Sequence, residues 1–359
     1  MKILICSAND TSLYLFRREL IQDLLKENEV MISAPKGDWV HALEEMGCRF
    51  LDTPIDRRGI NPVTDLRLFF RNCKLLRQHK PDMVITYTIK PNISGGLACR
   101  MLGVPYAVNI TGLGTAFQKQ GLLRKLVVFL YRVALKKAKV VFFENSTNME
   151  LFQEEGIVSP GQSCLLQGAG VNLEHFAYAP YPADEVTSFL FSGRVMREKG
   201  IEELFAAMER LRAEGKNCTL DVLGVYEDDY ADVIRRCESA GWLRYHGFVA
   251  DVRPYVEKAH CLVLPSYHEG MANTNLECAA MGRPIITSNI PGCREAVLEG
   301  RSGLLCEPQN TDSLYEAMKH FLSMPAEIRA QMGKCGREHM EKVFDRTEVV
   351  AQTVQKVIF

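Results

Sequence analysis

The sequence predicts an α/β protein of two Rossmann-like domains, each a parallel sheet covered by helices on both faces, with additional helices at the C-terminus. Three observations carry this. The 359 residues, 47% hydrophobic and 24% charged, suffice for two cores of roughly 150 to 200 residues each. Short apolar or β-branched runs alternate with amphipathic stretches, the pattern of parallel strands joined by crossover helices. The alternation also stops at a turn-rich segment and then restarts, which marks a domain boundary.

In the first half, strands are expected near 2–6, 29–34, 82–87, 104–110 and 139–144, and helices near 12–27, 63–79, 91–102, 120–138 and 146–155. The linker is expected at 177–186, around Ala179-Pro180-Tyr181-Pro182, between a domain at 1–176 and one at 187–359. The second half continues with strands near 187–192, 218–223, 244–248, 260–264, 284–288 and 303–306. Residues 313–358 read as helical, broken near Pro325 and Phe344-Asp345, with a terminal helix able to cross back to the first domain. Ligands of open parallel sheets bind beyond the carboxyl ends of the strands. Two such sheets facing across a cleft would put function in the loops that follow strands.

The net charge of -1 hides an asymmetry: 22 basic against 16 acidic residues in 1–170, and 21 against 28 in the remainder. The two halves therefore meet different electrostatic partners. The 12 cysteines are scattered without Cys-x-x-Cys pairs or zinc-ligand spacing, so they read as small core hydrophobes in a reducing cytosol. No apolar run approaches the ~20 residues of a membrane span. The N-terminus opens directly into a strand pattern, so a cytoplasmic protein is expected.

Two segments of the second half carry chemistry. After the strand Phe189-Leu190-Phe191 comes Ser192-Gly193-Arg194, then Lys199-Gly200 at the start of a helical pattern. Glycine lets backbone approach a ligand, and two cations at a strand end and helix start suit a diphosphate. After the strand Cys261-Leu262-Val263-Leu264 comes Glu269-Gly270-Met271-Ala272-Asn273-Thr274-Asn275-Leu276-Glu277, two glutamates separated by seven residues. If a helix starts near Ala272, Glu269 lies in the loop at its N-terminus and Glu277 about one and a half turns in. A helix N-terminus favours an anion, and a carboxylate can accept from two vicinal hydroxyls. The acidic run Glu227-Asp228-Asp229 lacks the Asp-x-Asp of metal-dependent sugar transfer and reads as a solvated helix start, so neither a metal nor a cofactor is expected.

Gly193-Arg194 with Lys199-Gly200, Pro265-Ser266-x-x-Glu269-Gly270 through Glu277, Gly282-Arg283-Pro284-Ile285-Ile286, Gly303-Leu304-Leu305 and Gly168 to Phe176 together resemble the signature of the family-four retaining glycosyltransferases. The resemblance covers most of the chain and implies the GT-B form of the fold. It implies that Arg194 and Lys199 hold the diphosphate of a UDP-sugar and that Glu277 holds the ribose hydroxyls. Glu269, Gly270, Met271, Ala272 and Asn273 would then contact the transferred sugar and phosphate, and Gly247-Phe248-Val249 with Asp251 would border the base. Arg194, Lys199 and Glu269 become the catalytic candidates, acting by positioning and electrostatics.

In the first half, polar loops fall where strand ends are expected: Asn9 to Arg17, where Ser12 can cap a helix, Asp56 to Pro62, Thr86 to Asn92, and Asn109 to Gly114. Asn9, Ser12, Arg17, Arg58, Lys90, Asn92, Thr111 and Gly112 are the acceptor-site candidates. These loops resemble the subgroup that extends sugars attached to undecaprenyl diphosphate. Thr111-Gly112 stands where many family members carry a histidine, which argues against histidine catalysis.

Between Ala116 and Phe143 there is no acidic residue, while Lys119, Arg124, Lys125, Arg132, Lys136, Lys137 and Lys139 are interleaved with apolar residues. A basic amphipathic helix of this kind points to an anionic membrane surface. RNA is disfavoured because no aromatic stacking platform accompanies the charge. The expected activity is transfer of a hexose or N-acetylhexosamine to a polyprenyl-diphosphate-linked saccharide at the inner face of the plasma membrane. Its rivals are a nucleotide-sugar 2-epimerase, disfavoured by the basic helix and paired glutamates, and a non-catalytic partner of another transferase. A dehydrogenase is disfavoured by the lack of Gly-x-Gly-x-x-Gly after the first strand.

Overall fold

The computed structural model describes all residues except Arg57, Arg58, Ile60, Thr115, Ala116, Gln118, Lys119, Gln120 and Asp184. The chain forms two compact units, Met1–Ala169 with Thr347–Phe359, and Gly170–Arg346.

The first unit runs β1 (Lys2–Cys6), α1 (Thr11–Leu25), β2 (Glu29–Ala34), α2 (Val40–Glu45), β3 (Arg49–Asp52), α3 (Pro62–His79), β4 (Met83–Tyr87), α4 (Ile89–Leu102), β5 (Tyr106–Ile110), α5 (Leu122–Leu135), β6 (Val140–Phe143), α6 (Ser146–Glu154) and β7 (Ser163–Leu165). Its strands are parallel in the order β3-β2-β1-β4-β5-β6-β7. The order reverses between β1 and β4, which opens a crevice at the carboxyl ends of those two strands. Alternation along β1 feeds two helical layers: Ile3 and Ile5 join one core, Leu4 and Cys6 the other. α3 starts where Asn61 Oδ1 accepts from the Val63 amide at 2.9 Å, with Pro62 in the first turn.

The second unit contains β8 (Thr187–Ser192), α7 (Ile201–Ala213), β9 (Cys218–Leu223), α8 (Ala231–Ser239), β10 (Leu243–Gly247), α9 (Arg253–Lys258), β11 (Cys261–Leu264), α10 (Asn273–Ala280), β12 (Ile285–Ser288), β13 (Gly303–Cys306), α11 (Thr311–Ser323) and α12 (Ala326–Val343). Its parallel sheet has the order β10-β9-β8-β11-β12-β13. α13 (Arg346–Ile358) then rejoins the first unit, where Val349 and Val357 are buried in the core that contains Ile3 and Ile5.

The two passages of the chain between units run side by side. The Val171 amide donates to Phe344 O at 2.8 Å and the Arg346 amide to Val171 O at 3.1 Å. A β-carbon on Gly170 would lie 2.6 Å from Arg346 Cα, so only glycine permits this approach. The division therefore falls at 169/170, whereas composition placed a linker at 177–186. Ala179 and Pro180 of that segment are held in the second unit: Arg283, fully buried, donates from Nη2 to their two carbonyls, each at 2.7 Å. The Gly282-Arg283-Pro284 motif is thus a clamp on the connecting chain. The short elements β3, β7 and α2 were not expected from the sequence, since half-buried runs of three to six residues carry little periodicity. Among the described residues no helix is long and apolar enough to cross a membrane.

Candidate functional site

At the carboxyl edge of the second sheet, the strand ends of β8, β9 and β11 bring the sequence-predicted residues together. Gly224 has a φ of +137°, and a β-carbon there would lie 1.8 Å from Gly193 O. The loops after β8 and β9 are therefore in direct backbone contact. Arg194, at the end of β8, donates from Nη1 to Glu227 Oε2 at 3.3 Å, and the Arg197 amide donates to Asp228 Oδ2 at 2.9 Å. This corrects the reading of Glu227 and Asp228 as a solvated helix start: α8 begins only at Ala231, and the two carboxylates brace the 194–197 loop.

Lys199 and Glu269 form a mostly buried ion pair, and Ser266 Oγ donates to the same Glu269 Oε1 at 2.8 Å. Two backbone contacts bring them together. A β-carbon on Gly200 would be 2.1 Å from Pro265 O, and the Tyr267 amide donates to Glu198 O at 2.9 Å. Tyr267 Oη reinforces this by donating to Glu203 Oε1 on α7 at 2.7 Å. The Ala272 amide donates to Gly292 O at 2.7 Å, fixing the start of α10.

Met271 and Ala272 are buried, so only their backbone can serve a ligand; the buried Asn273 Oδ1 has no hydrogen-bond partner among the described residues. Glu277 is half-buried in the second turn of α10, and no side chain of the described residues hydrogen-bonds it. Burial pushes its carboxyl up to about 7, opposed by the charge of Arg346. Val249 packs on the core while Phe248 is exposed, and Asp251 is held by Arg253 at 2.8 Å. That pairing lowers the Asp251 carboxyl and leaves Asp251 a weaker candidate for the base.

In the first unit, the candidates divide. Asn9 Oδ1 accepts from the Ser12 amide at 2.7 Å, so Asn9 supplies the side-chain bond to the start of α1 that was expected of Ser12. Arg17 pairs with Glu144, the residue after β6, and lies over the Tyr87 ring at 5.1 Å from its centroid. Lys90 is bound by Asp65 at 2.8 Å and by Gly59 O at 2.7 Å. Asn92 is 1% exposed; its side-chain Nδ2 donates to Asn109 O at 2.8 Å, and its Oδ1 has no hydrogen-bond partner among the described residues. Thr111 and Gly112 are half-buried in the loop after β5. Arg58 and Lys119 lie outside the described residues.

Residues 2–145 match the family model "Glycosyl transferase 4-like" and residues 187–324 match "Glycosyl transferases group 1". The chain is a GT-B glycosyltransferase. Over 90% of its length it is 26% identical to 89% of the Campylobacter jejuni N,N'-diacetylbacillosaminyl-diphospho-undecaprenol alpha-1,3-N-acetylgalactosaminyltransferase. Over 73% it is 28% identical to 71% of the Escherichia coli UDP-Gal:alpha-D-GlcNAc-diphosphoundecaprenol alpha-1,3-galactosyltransferase. Its fold matches that of Anabaena HepE in complex with UDP-glucose, with a TM-score of 0.81, 16% identity and 99% of each chain covered.

Two charges of this glycosyltransferase's basic helix are already engaged. Arg124 pairs with Glu155 at 2.7 Å, and Arg132 Nε donates to Glu155 O at 2.8 Å. Lys125 and Lys136 are exposed. What sequence reasoning missed is apolar: Leu122, Leu123, Leu126 and Phe129 on α5 are exposed, and so are Val63, Leu66 and Phe70 on α3. It also missed Glu144 and Glu227, whose nearness to Arg17 and Arg194 arises only across the sheet, and Ser266, which reaches Glu269 three residues on through the turn of the loop after β11. The acid-free run ending just before Glu144 was the one available signal for that residue.

Proposed function

We propose that this glycosyltransferase is retaining and metal-independent, moving a hexose or N-acetylhexosamine from a UDP-sugar to a polyprenyl-diphosphate-linked saccharide in bacterial surface polysaccharide or glycan assembly. One observation carries the donor reading. Arg194 and Lys199 stand with Glu269 at the carboxyl edge of one sheet, and Glu277, which no side chain of the described residues hydrogen-bonds, lies beyond the start of α10. Two cations suit a departing diphosphate, and a carboxylate without a hydrogen-bond partner suits vicinal hydroxyls. Relatives named for diphospho-undecaprenol-linked sugars support the acceptor class.

In the proposed step the bond from the sugar C1 to the diphosphate oxygen breaks, and a bond from C1 to the acceptor oxygen forms on the same face. The acceptor proton passes to the departing phosphate oxygen. Arg194 and Lys199 stabilise the charge that develops there, and Glu269 orients the sugar while holding Lys199 in place.

The protein would work at the inner face of the plasma membrane. Leu122, Leu126 and Phe129 on α5, with Lys125 between them, and Val63, Leu66 and Phe70 on α3 form exposed apolar stripes on helices that follow strands. An apolar stripe beside cations suits the headgroup boundary of an anionic bilayer.

The test is incubation with a panel of UDP-sugars, with and without diphospho-undecaprenol-linked saccharides, in EDTA and in Mg²⁺. Transfer with retained anomeric configuration, undiminished by EDTA, is expected. Epimerised nucleotide sugar without acceptor would establish the epimerase instead, and full dependence on Mg²⁺ would overturn the metal-free step.

A further inference from the structure

We infer that Tyr87, Arg17 and Glu144 form a subsite for a hydroxyl of the acceptor's sugar ring, at the β1/β4 switch point of the first unit. The inference rests on the polyprenyl-linked saccharide reading above and deepens it.

The three groups come from separate elements and meet at one sheet edge. Tyr87 is the last residue of β4, Arg17 lies in the second turn of α1, and Glu144 follows β6. Arg17 joins the other two, through its ion pair with Glu144 and its position 5.1 Å from the Tyr87 ring centroid. The edge is where strand order reverses, the place at which open parallel sheets bind ligands.

The independent pointer to a ligand is the Tyr87 hydroxyl. Tyr87 is 3% exposed, and its Oη is buried with no hydrogen-bond partner among the described residues. A buried O–H is normally satisfied, and one left without a protein partner beside an ion pair is placed for a group supplied from outside. Backbone strain marks the same spot. Thr88, next in the chain, has a φ of +69°, a conformation that a β-branched residue adopts only when its surroundings impose it.

The chemistry selects the ligand class. The group left unpartnered here is the neutral Tyr87 O–H and not a cation, which suits a hydroxyl better than a phosphate. A sugar hydroxyl both accepts and donates. It can take the Tyr87 proton in a hydrogen bond and donate its own to the Glu144 carboxylate, which has several lone-pair positions. Of the acceptor candidates read from the sequence, only Arg17 belongs to this subsite, and it acts by holding Glu144.

The test compares wild type with Tyr87→Phe, using citronellyl-diphospho-N-acetylglucosamine as acceptor probe and inorganic diphosphate as control. Removing an unpartnered buried hydroxyl should leave Tm unchanged or higher. It should raise acceptor KM about 10-fold while donor KM moves less than about two-fold. By saturation-transfer NMR, signals on the probe's sugar ring should weaken in Tyr87→Phe while diphosphate binding is unaltered. Glu144→Gln should weaken the ring signal and strengthen diphosphate binding, because it uncovers the Arg17 charge. An acceptor KM within two-fold of wild type, or a ring signal equal in both proteins, would overturn the subsite. A drop in Tm with both KM values raised would show a purely structural tyrosine and overturn it as well. If wild type binds the probe by its ring but transfers no sugar to any acceptor, the transfer reading fails while the subsite stands.

Discussion

Gly200 lies directly beneath the carbonyl of Pro265: at its φ of +71°, a β-carbon would come within 2.1 Å of the Pro265 oxygen. That contact holds the loop after β8 against the loop after β11, and so sets Lys199 beside Glu269. The Lys-Gly pair in the sequence is therefore a packing requirement as well as a chemical one.

Gly200→Ala is expected to cost more than the ~1 to 2 kcal/mol of left-handed strain, because backbone must also move. Gly215 has a similar φ of +73° with open space around it, so Gly215→Ala isolates the strain alone. Thermal melts and kcat should show Gly200→Ala less stable and nearly inactive, and Gly215→Ala active. Equal losses in the two variants would mean that the Pro265 contact does not position the site.

Arg194→Ala and Lys199→Ala should each lose ~1.5 to 3 kcal/mol of transition-state stabilisation, or about 10- to 150-fold in kcat/KM. Lys199→Ala also strands the Glu269 carboxylate, so the Lys199→Ala/Glu269→Gln double variant should lose less than the two single losses combined. Additive losses would show that the ion pair does not act as a unit.

Glu277 gives a pH dependence of definite sign. Its carboxyl is raised from the ordinary range near 4.5 to about 7, so the folded protein holds that proton more tightly than the unfolded chain. Its contribution to stability is full below about pH 4.5, falls as pH rises towards 7 and levels off above, an effect of up to about 3 kcal/mol. Glu277→Gln should flatten this part of the Tm–pH curve. If the ionised carboxylate accepts ribose hydroxyls, donor KM should fall as pH rises through about 7, and Glu277→Gln should lose that dependence and raise donor KM more than Glu269→Gln does. A donor KM independent of pH in both proteins would remove Glu277 from the donor site.

For the membrane reading, exposed apolar side chains should matter more than total charge. Leu126→Ser/Phe129→Ser should abolish sedimentation with phosphatidylglycerol vesicles, and Lys125→Gln/Lys136→Gln should weaken it by about 1 kcal/mol per charge, most clearly at low salt. Arg124→Gln should instead lower Tm, since Arg124 is engaged by Glu155. Wild type that ignores anionic vesicles would show α5 to be only a cover for the sheet.

The sequence by itself determined the two parallel α/β domains and the loops proposed to hold the donor. Both signals are local: strands buried on both faces read as continuous apolar runs, and Gly193-Arg194, Lys199-Gly200 and Glu269 to Glu277 each lie within a few residues of a strand end. Only the tertiary structure decided which charges are available. Glu227 reaches Arg194 from another strand, Glu155 engages Arg124 from the end of α6, and Glu144 captures Arg17 across the first sheet. It also placed Asn92 inside and moved the domain division to 169/170, where glycine allows two distant stretches of chain to touch. A charge in a sequence has no fixed partner until the sheet order brings one to it, and nothing local encodes that order.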